Sequence, residues 1–180
     1  KRYVDDYNLS NYDASVLTAD KSVSDYFDTV IKSDNSLKES SKIVVNWITS
    51  ELFSLLNENN MEISNSPIQP KNLGKLVKLI NDNIISGKIA KDVLLEMFNT
   101  KEGPENIIEK KGLKQLTSSS EIENIVDEVL KENVKMVEQY LSGKDKLFGF
   151  FVGQSMKKSK GKANPKILND ILKKKLSKKN

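Results

Sequence analysis

From Ile122 to Leu141 the apolar side chains Ile122, Ile125, Val126, Val129, Leu130, Val134, Val137 and Leu141 recur at steps of three and four residues. That spacing collects them on one stripe of an α-helix and would scatter them over both faces of a strand. The same period returns along most of the chain, and few segments alternate with period two, so the sequence predicts an all-α fold. The four prolines and eight glycines fall mostly at the edges of the apolar runs, where they start or stop helices.

Residues 11–17 read as a short helix. Thr18 reads as the N-cap of a helix from Ala19 to about Lys32, with Val23, Tyr26, Phe27, Val30 and Ile31 on one face. Ser36 is expected to cap a helix from Leu37 to Asn57, apolar over a wide arc that includes Trp47, which implies neighbours on more than one side. Ser66-Pro67-Ile68-Gln69-Pro70 is the clearest break. Pro70 opens a helix expected to run through Ile84 and Ile85 and to stop near Gly87. Shorter helices follow from Ile89 to Phe98 and from Pro104 to Glu109, the second closed by Gly112. Thr117-Ser118-Ser119-Ser120-Glu121 is a capping cluster for one long helix that Gly143 ends. Helices over 145–158 and 165–176 complete the reading. Together they predict two small helical bundles: residues 1–21 as a connector, 22–116 as the first bundle, and 117–180 as a three-helix unit with a basic surface. The chain starts at Lys1 rather than methionine, which suggests a piece of a longer protein.

The side-chain inventory narrows the chemistry. Without cysteine or histidine, the chain offers no disulfide, no thiolate metal site, no cysteine nucleophile and no Ser-His-Asp triad. It has neither a G-x-x-x-x-G-K-[ST] nor a G-x-G-x-x-G phosphate loop. The acid pairs Asp5-Asp6, Glu121/Glu123 and Asp127-Glu128 lack a nearby base or nucleophile to complete a site. No apolar run approaches membrane-spanning length, and no signal peptide opens the chain. The lack of cysteine fits a reducing compartment, and a cytoplasmic location is expected. Gly149 and Gly153 are spaced to let a second helix approach closely. Trp47 and the Phe148, Phe150, Phe151 cluster read as core.

Charge is where the sequence speaks of a partner. Residues 144–180 hold twelve lysines against two acids, Asp145 and Asp170, a net +10 that leaves −6 for the remainder of this +4 chain. A basic end on an acidic body points to a polyanionic partner for that end; the bland alternative is a solvated lysine tail. Lys157, Lys158, Lys160 and Lys162 crowd a short loop that leads to a helix start at Asn164-Pro165, where free N–H groups would favour anions. Lys166, Asn169 and Lys173 then share a helix face. With no aromatic residue among these lysines, stacking on single-stranded bases is not expected. Recognition of a folded RNA through its backbone fits better.

The stretch Leu147-Phe148-Gly149-Phe150-Phe151-Val152-Gly153-Gln154-Ser155-Met156, continued by Lys157-Lys158-Ser159-Lys160-Gly161-Lys162-Ala163-Asn164-Pro165, resembles the end of the GatB subunit of the aspartyl/glutamyl-tRNA amidotransferase. That tail is shared with YqeY-like proteins. Ile85-Ser86-Gly87-Lys88-Ile89-Ala90-Lys91-Asp92-Val93-Leu94, Gly112-Leu113-Lys114-Gln115-Leu116, Asn46-Trp47 and the lead-in from Leu9 to Phe27 are similar to the same family. The resemblance implies a non-catalytic part of an ATP-dependent ligase that corrects misacylated Glu-tRNA(Gln) or Asp-tRNA(Asn). ATP and Mg would act elsewhere in the parent complex, and no cofactor is expected in this stretch. The implied partners are tRNA(Gln) or tRNA(Asn), an amidase subunit and a small accessory subunit, with no membrane. The tail would grip the outer corner of the tRNA, and the charge pattern then assigns Lys157, Lys158, Lys160, Lys162, Lys166 and Lys173 to its phosphates. Two other readings stay open: a helical module that docks the other members of the complex, and a stand-alone YqeY-like protein.

Overall fold

Side-chain caps set many of the helix starts in the computed structural model, which describes residues 1–177. Lys178 and Lys179, counted in the basic end, lie outside the described residues. The first part of the chain forms α1 (Arg2–Tyr7), α2 (Asn11–Ala19), α3 (Lys21–Ser33), α4 (Ser41–Asn46), α5 (Phe53–Glu58), α6 (Pro70–Asn81), α7 (Gly87–Thr100) and α8 (Pro104–Lys111). The second part forms α9 (Ser119–Glu132), α10 (Val134–Leu141), α11 (Leu147–Lys158) and α12 (Pro165–Leu176). Ser10, Ser86 and Ser118 each accept the N–H three residues on, and Asp20 accepts that of Ser22. Each satisfies one of the donors that a helix start leaves orphaned. The described residues contain no strand, so the fold is all-α as expected.

Several boundaries differ from the sequence reading, each for a local reason. Thr18 caps nothing: its hydroxyl donates to the Ala14 carbonyl inside α2, and Asp20 is the cap of α3. Ser36 gives its N–H and hydroxyl to Asp34, which caps a short 3-10 turn over Asn35–Lys38, so the α-helix begins only at Ser41. Between α4 and α5 the helix continues through a π turn, Trp47–Leu52. The wider turn re-phases the helix, and Val44, Val45, Trp47, Ile48 and Leu52 are all buried. Past Asn81 the chain leaves α6: Asn83 takes φ +56°, and the N–H groups of Ile84 and Ile85 both point to the Leu79 carbonyl. Gly87 therefore opens α7 behind the Ser86 cap and does not end α6. The expected long helix breaks at Asn133, whose side-chain amide donates to the Val129 carbonyl and whose carbonyl receives the N–H groups of Met136 and Val137. A polar side chain competing for backbone partners ends α9 and starts α10 in one residue.

The chain divides into two compact units, Lys1–Gly112 and one that begins at Leu113. Gly112 closes α8 in the left-handed region at φ +59°, a conformation that suits glycine. In the first unit Tyr3, Leu9 and Leu17 are buried, and the Tyr3 and Tyr7 rings stand edge-on to Phe27 at 5.5 and 5.6 Å. Residues 1–21, read as a connector, are thus packed as part of this unit. Trp47 is in its core. The second unit starts four residues earlier than the 117 of the sequence reading, because Leu116 is bonded inside it. Its described residues form four helices rather than three, since α9 and α10 are separate.

Candidate nucleic-acid interface

The lysine-bearing loop is held by the core beneath it. Ile122, Val126 and Val129 of α9, Phe151 of α11, Ala163, and Leu168, Leu172 and Leu176 of α12 form one buried cluster. Their three- and four-residue spacing presses α11 and α12 onto α9. Phe148 and Phe150 are half-buried against the same cluster.

The turn from α11 to α12 is closed by its own backbone. The Gly161 N–H donates to the Met156 carbonyl at 2.8 Å, and the Lys160 N–H donates to the Lys157 carbonyl at 3.0 Å. That pair of bonds is a Schellman closure. It places Lys160 at φ +54° and Gly161 at φ +76°. The first is a position where glycine is usual. The buried Ser159 hydroxyl donates to the Met156 carbonyl and accepts the Ala163 N–H. Leu116 then clasps the far side: its N–H donates to the Lys162 carbonyl at 2.6 Å, and its carbonyl accepts the Asn164 N–H at 2.9 Å.

This frame presents Lys157, Lys160, Lys166 and Lys173 exposed and Lys162 half-buried. None of the five is in an ion pair among the described residues. Lys166 and Lys173 lie two turns apart on α12, about 10 Å along its axis. Lys158 differs: its ammonium lies 2.6 Å from a Glu132 oxygen and 3.0 Å from a Glu128 oxygen. Hydrogen bonds from the ammonium, first to Glu132 and then to Glu128, raise its pKa. Lys175, which the sequence reading did not single out, does the same with Asp127 at 2.6 Å and Glu123 at 2.8 Å. Its pKa is also raised, chiefly by Asp127. The acids at four-residue spacing on α9 were visible in the sequence; which lysines reach them was not.

Three sequence expectations fail here. The start of α12 has no free N–H for an anion. Pro165 has none to offer, Asn164 Oδ1 accepts those of Lys166 and Ile167 at 3.1 Å each, and the Asn164 carbonyl accepts that of Leu168. Gly149 and Gly153 receive no neighbouring helix: a Cβ at either would meet nothing within 4 Å. Asn169 is half-buried, with its Oδ1 enclosed and unpartnered, so it does not share the open face of Lys166 and Lys173.

The described residues hold no cluster of metal-ligating side chains: no group of three or more acidic, histidine or cysteine side chains is placed to hold a metal ion. No helix among the described residues is long and apolar enough to cross a membrane.

Comparison with known proteins agrees with the resemblance carried by the loop and its flanks. The GatB subunit of the aspartyl/glutamyl-tRNA(Asn/Gln) amidotransferase of Rickettsia rickettsii (strain Sheila Smith) is 50% identical over 177 residues, 98% of this chain and 36% of the relative. The corresponding proteins of Thioalkalivibrio sulfidiphilus (50% over 175 residues, 97% of this chain) and Nitrosococcus oceani (50% over 177 residues, 98% of this chain) are equally similar, again over 36% of their own length. The chain thus spans about a third of the length of the curated relatives it matches. The family profile described as "GatB domain" matches residues 25–176, which takes in most of the core of the first unit, the core of the second and the whole lysine-bearing turn, and the chain belongs to that family.

Proposed function

We propose that this chain binds tRNA through the second unit, as part of the GatB subunit of an aspartyl/glutamyl-tRNA amidotransferase. It would hold misacylated Glu-tRNA(Gln) or Asp-tRNA(Asn) in place while ATP-dependent transamidation proceeds elsewhere in the complex. The amidase subunit and a small accessory subunit are its protein partners in this reading, and the cytoplasm its place of work. The observation that carries it is the run of lysines free of ion pairs among the described residues, Lys157, Lys160, Lys162, Lys166 and Lys173, on a turn bonded from both sides and the helices that flank it. Ammonium groups on a fixed frame suit the phosphates of a folded RNA and carry no base code. Positioning is then the contribution to rate: a large substrate held in register reaches a distant centre without a further search.

The test is binding of folded tRNA(Gln), tRNA(Asn) and a noncognate tRNA across a salt series. Five neutralised phosphates give a slope of log affinity on log salt of about −3.5 to −4.5. Lys160→Glu/Lys162→Glu is expected to abolish selective binding with the helical content intact. Equal, weak binding of all three tRNAs by the unaltered chain would refute selection by this surface.

A further inference from the structure

We infer that Lys158 and Lys175 are positioning residues that clamp and screen the acidic edge of α9, and that Lys158 is not itself a phosphate contact. The geometry stands alone; its consequence for RNA rests on the reading above. Glu123 and Asp127 are one helical turn apart on α9, and so are Glu128 and Glu132. Lys175, from the last turn of α12, spans the first pair, and Lys158, the last residue of α11, spans the second. The two lysine side chains are 24% and 31% exposed, while the four carboxylates are 41–63% exposed. Each ammonium group lies at the surface with its donors on two carboxylates.

Two effects follow. Each clamp reduces a doubly negative site to a net single negative charge, and the Lys158 clamp does so at the residue next to Lys157, where the lysine turn begins. An ammonium shared by two carboxylates is also a poor partner for a third anion. Exposed ion pairs add little to stability, so their effect is on charge.

Two measurements on the full chain decide this. The first needs no RNA: acylation of lysine amines by an N-hydroxysuccinimide ester, followed residue by residue by mass spectrometry. Lys158 and Lys175 are expected to label several-fold more slowly than Lys157, and Glu128→Gln/Glu132→Gln should bring Lys158 to the rate of Lys157. Equal labelling in the unaltered chain overturns the clamp.

The second uses an unmodified tRNA(Gln) transcript. Lys158→Gln should weaken binding, and Lys158→Gln/Glu128→Gln/Glu132→Gln should restore both affinity and salt slope, because lysine and acids are gone together. A triple variant that stays weak, with a slope shallower by about 0.7–0.9, makes Lys158 a direct contact and overturns the inference. Should Lys158→Gln fail to fold, Glu128→Gln/Glu132→Gln decides instead. Stronger binding is expected, and unchanged or weaker binding overturns the inference. If the unaltered chain shows no salt-dependent binding, the tRNA reading falls, while the labelling result still judges the clamp.

Discussion

Lys160 is held in a conformation that a lysine does not prefer, and replacing it by glycine separates its backbone cost from its charge. Its φ of +54° places it at the left-handed residue of the closure that ends α11. A side chain there costs roughly 1–2 kcal/mol. Glycine removes that cost but loses roughly 0.5–1 kcal/mol through the greater freedom of the unfolded chain. The balance for Lys160→Gly is a gain of about 0.5–1 kcal/mol. Lys160→Ala keeps the Cβ and gains none of it. The single tryptophan lies in the first unit, so its fluorescence does not report this change; amide hydrogen exchange does. The slowest amides of α9, α11 and α12 should exchange about two- to fivefold more slowly in Lys160→Gly and at the original rate in Lys160→Ala. Both variants should lose the same tRNA affinity, since both lose the same ammonium group. Faster exchange in the glycine variant, or equal exchange in the two, would refute the argument. A glycine variant that binds tRNA as well as the unaltered chain would remove Lys160 from the interface.

The glycines predict opposite signs at two places. Gly74→Ala puts a Cβ 2.6 Å from Ser33 Oγ and 3.0 Å from Leu37 Cδ1, and should destabilise the first unit by about 1–3 kcal/mol in a denaturant titration followed by Trp47 fluorescence. Gly149→Ala and Gly153→Ala meet open space and should each stabilise the second unit by about 0.5–1 kcal/mol through helix propensity; slower amide exchange in α11 would record it. Tyr26 supplies a pH dependence. Burial raises its phenol pKa, and its hydroxyl donates to the Ile68 carbonyl at 2.7 Å. A folded-state pKa above the unfolded value of about 10 means that this contribution is complete below pH 10 and is lost as pH rises beyond it. Tyr26→Phe should cost about 1 kcal/mol at neutral pH and flatten the loss of stability above pH 10, measured by the same fluorescence titration.

Helix identity was legible because it is local. The 3.6-residue stripe of Ile122, Val126 and Val129, the Ser118 cap, the start at Pro70 and the turn at Gly112 are each written within a few residues of where they act. Where local signals competed, the reading slipped: Thr18 against Asp20, Ser36 against Asp34, and Asn133 inside an apolar stripe that ran on past it. The basic end and the family likeness were equally plain, since charge and motif survive without a fold.

The division of labour among the lysines was not legible. In the sequence Lys157 and Lys158 are neighbours of one kind. In the folded unit one is exposed and free of ion pairs among the described residues, while the other lies on Glu128 and Glu132. Successive residues on a helix point about 100° apart, and only the packing of α11 and α12 on α9 decides which of them meets a carboxylate. The N–H groups at the start of α12 were a local matter instead, taken up by the Asn164 side chain and carbonyl. The sequence by itself determined that this chain is helical, of this family and basic at one end. The tertiary structure decided which charges remain available to a partner, because pairing depends on distances between helices that no spacing along the chain contains.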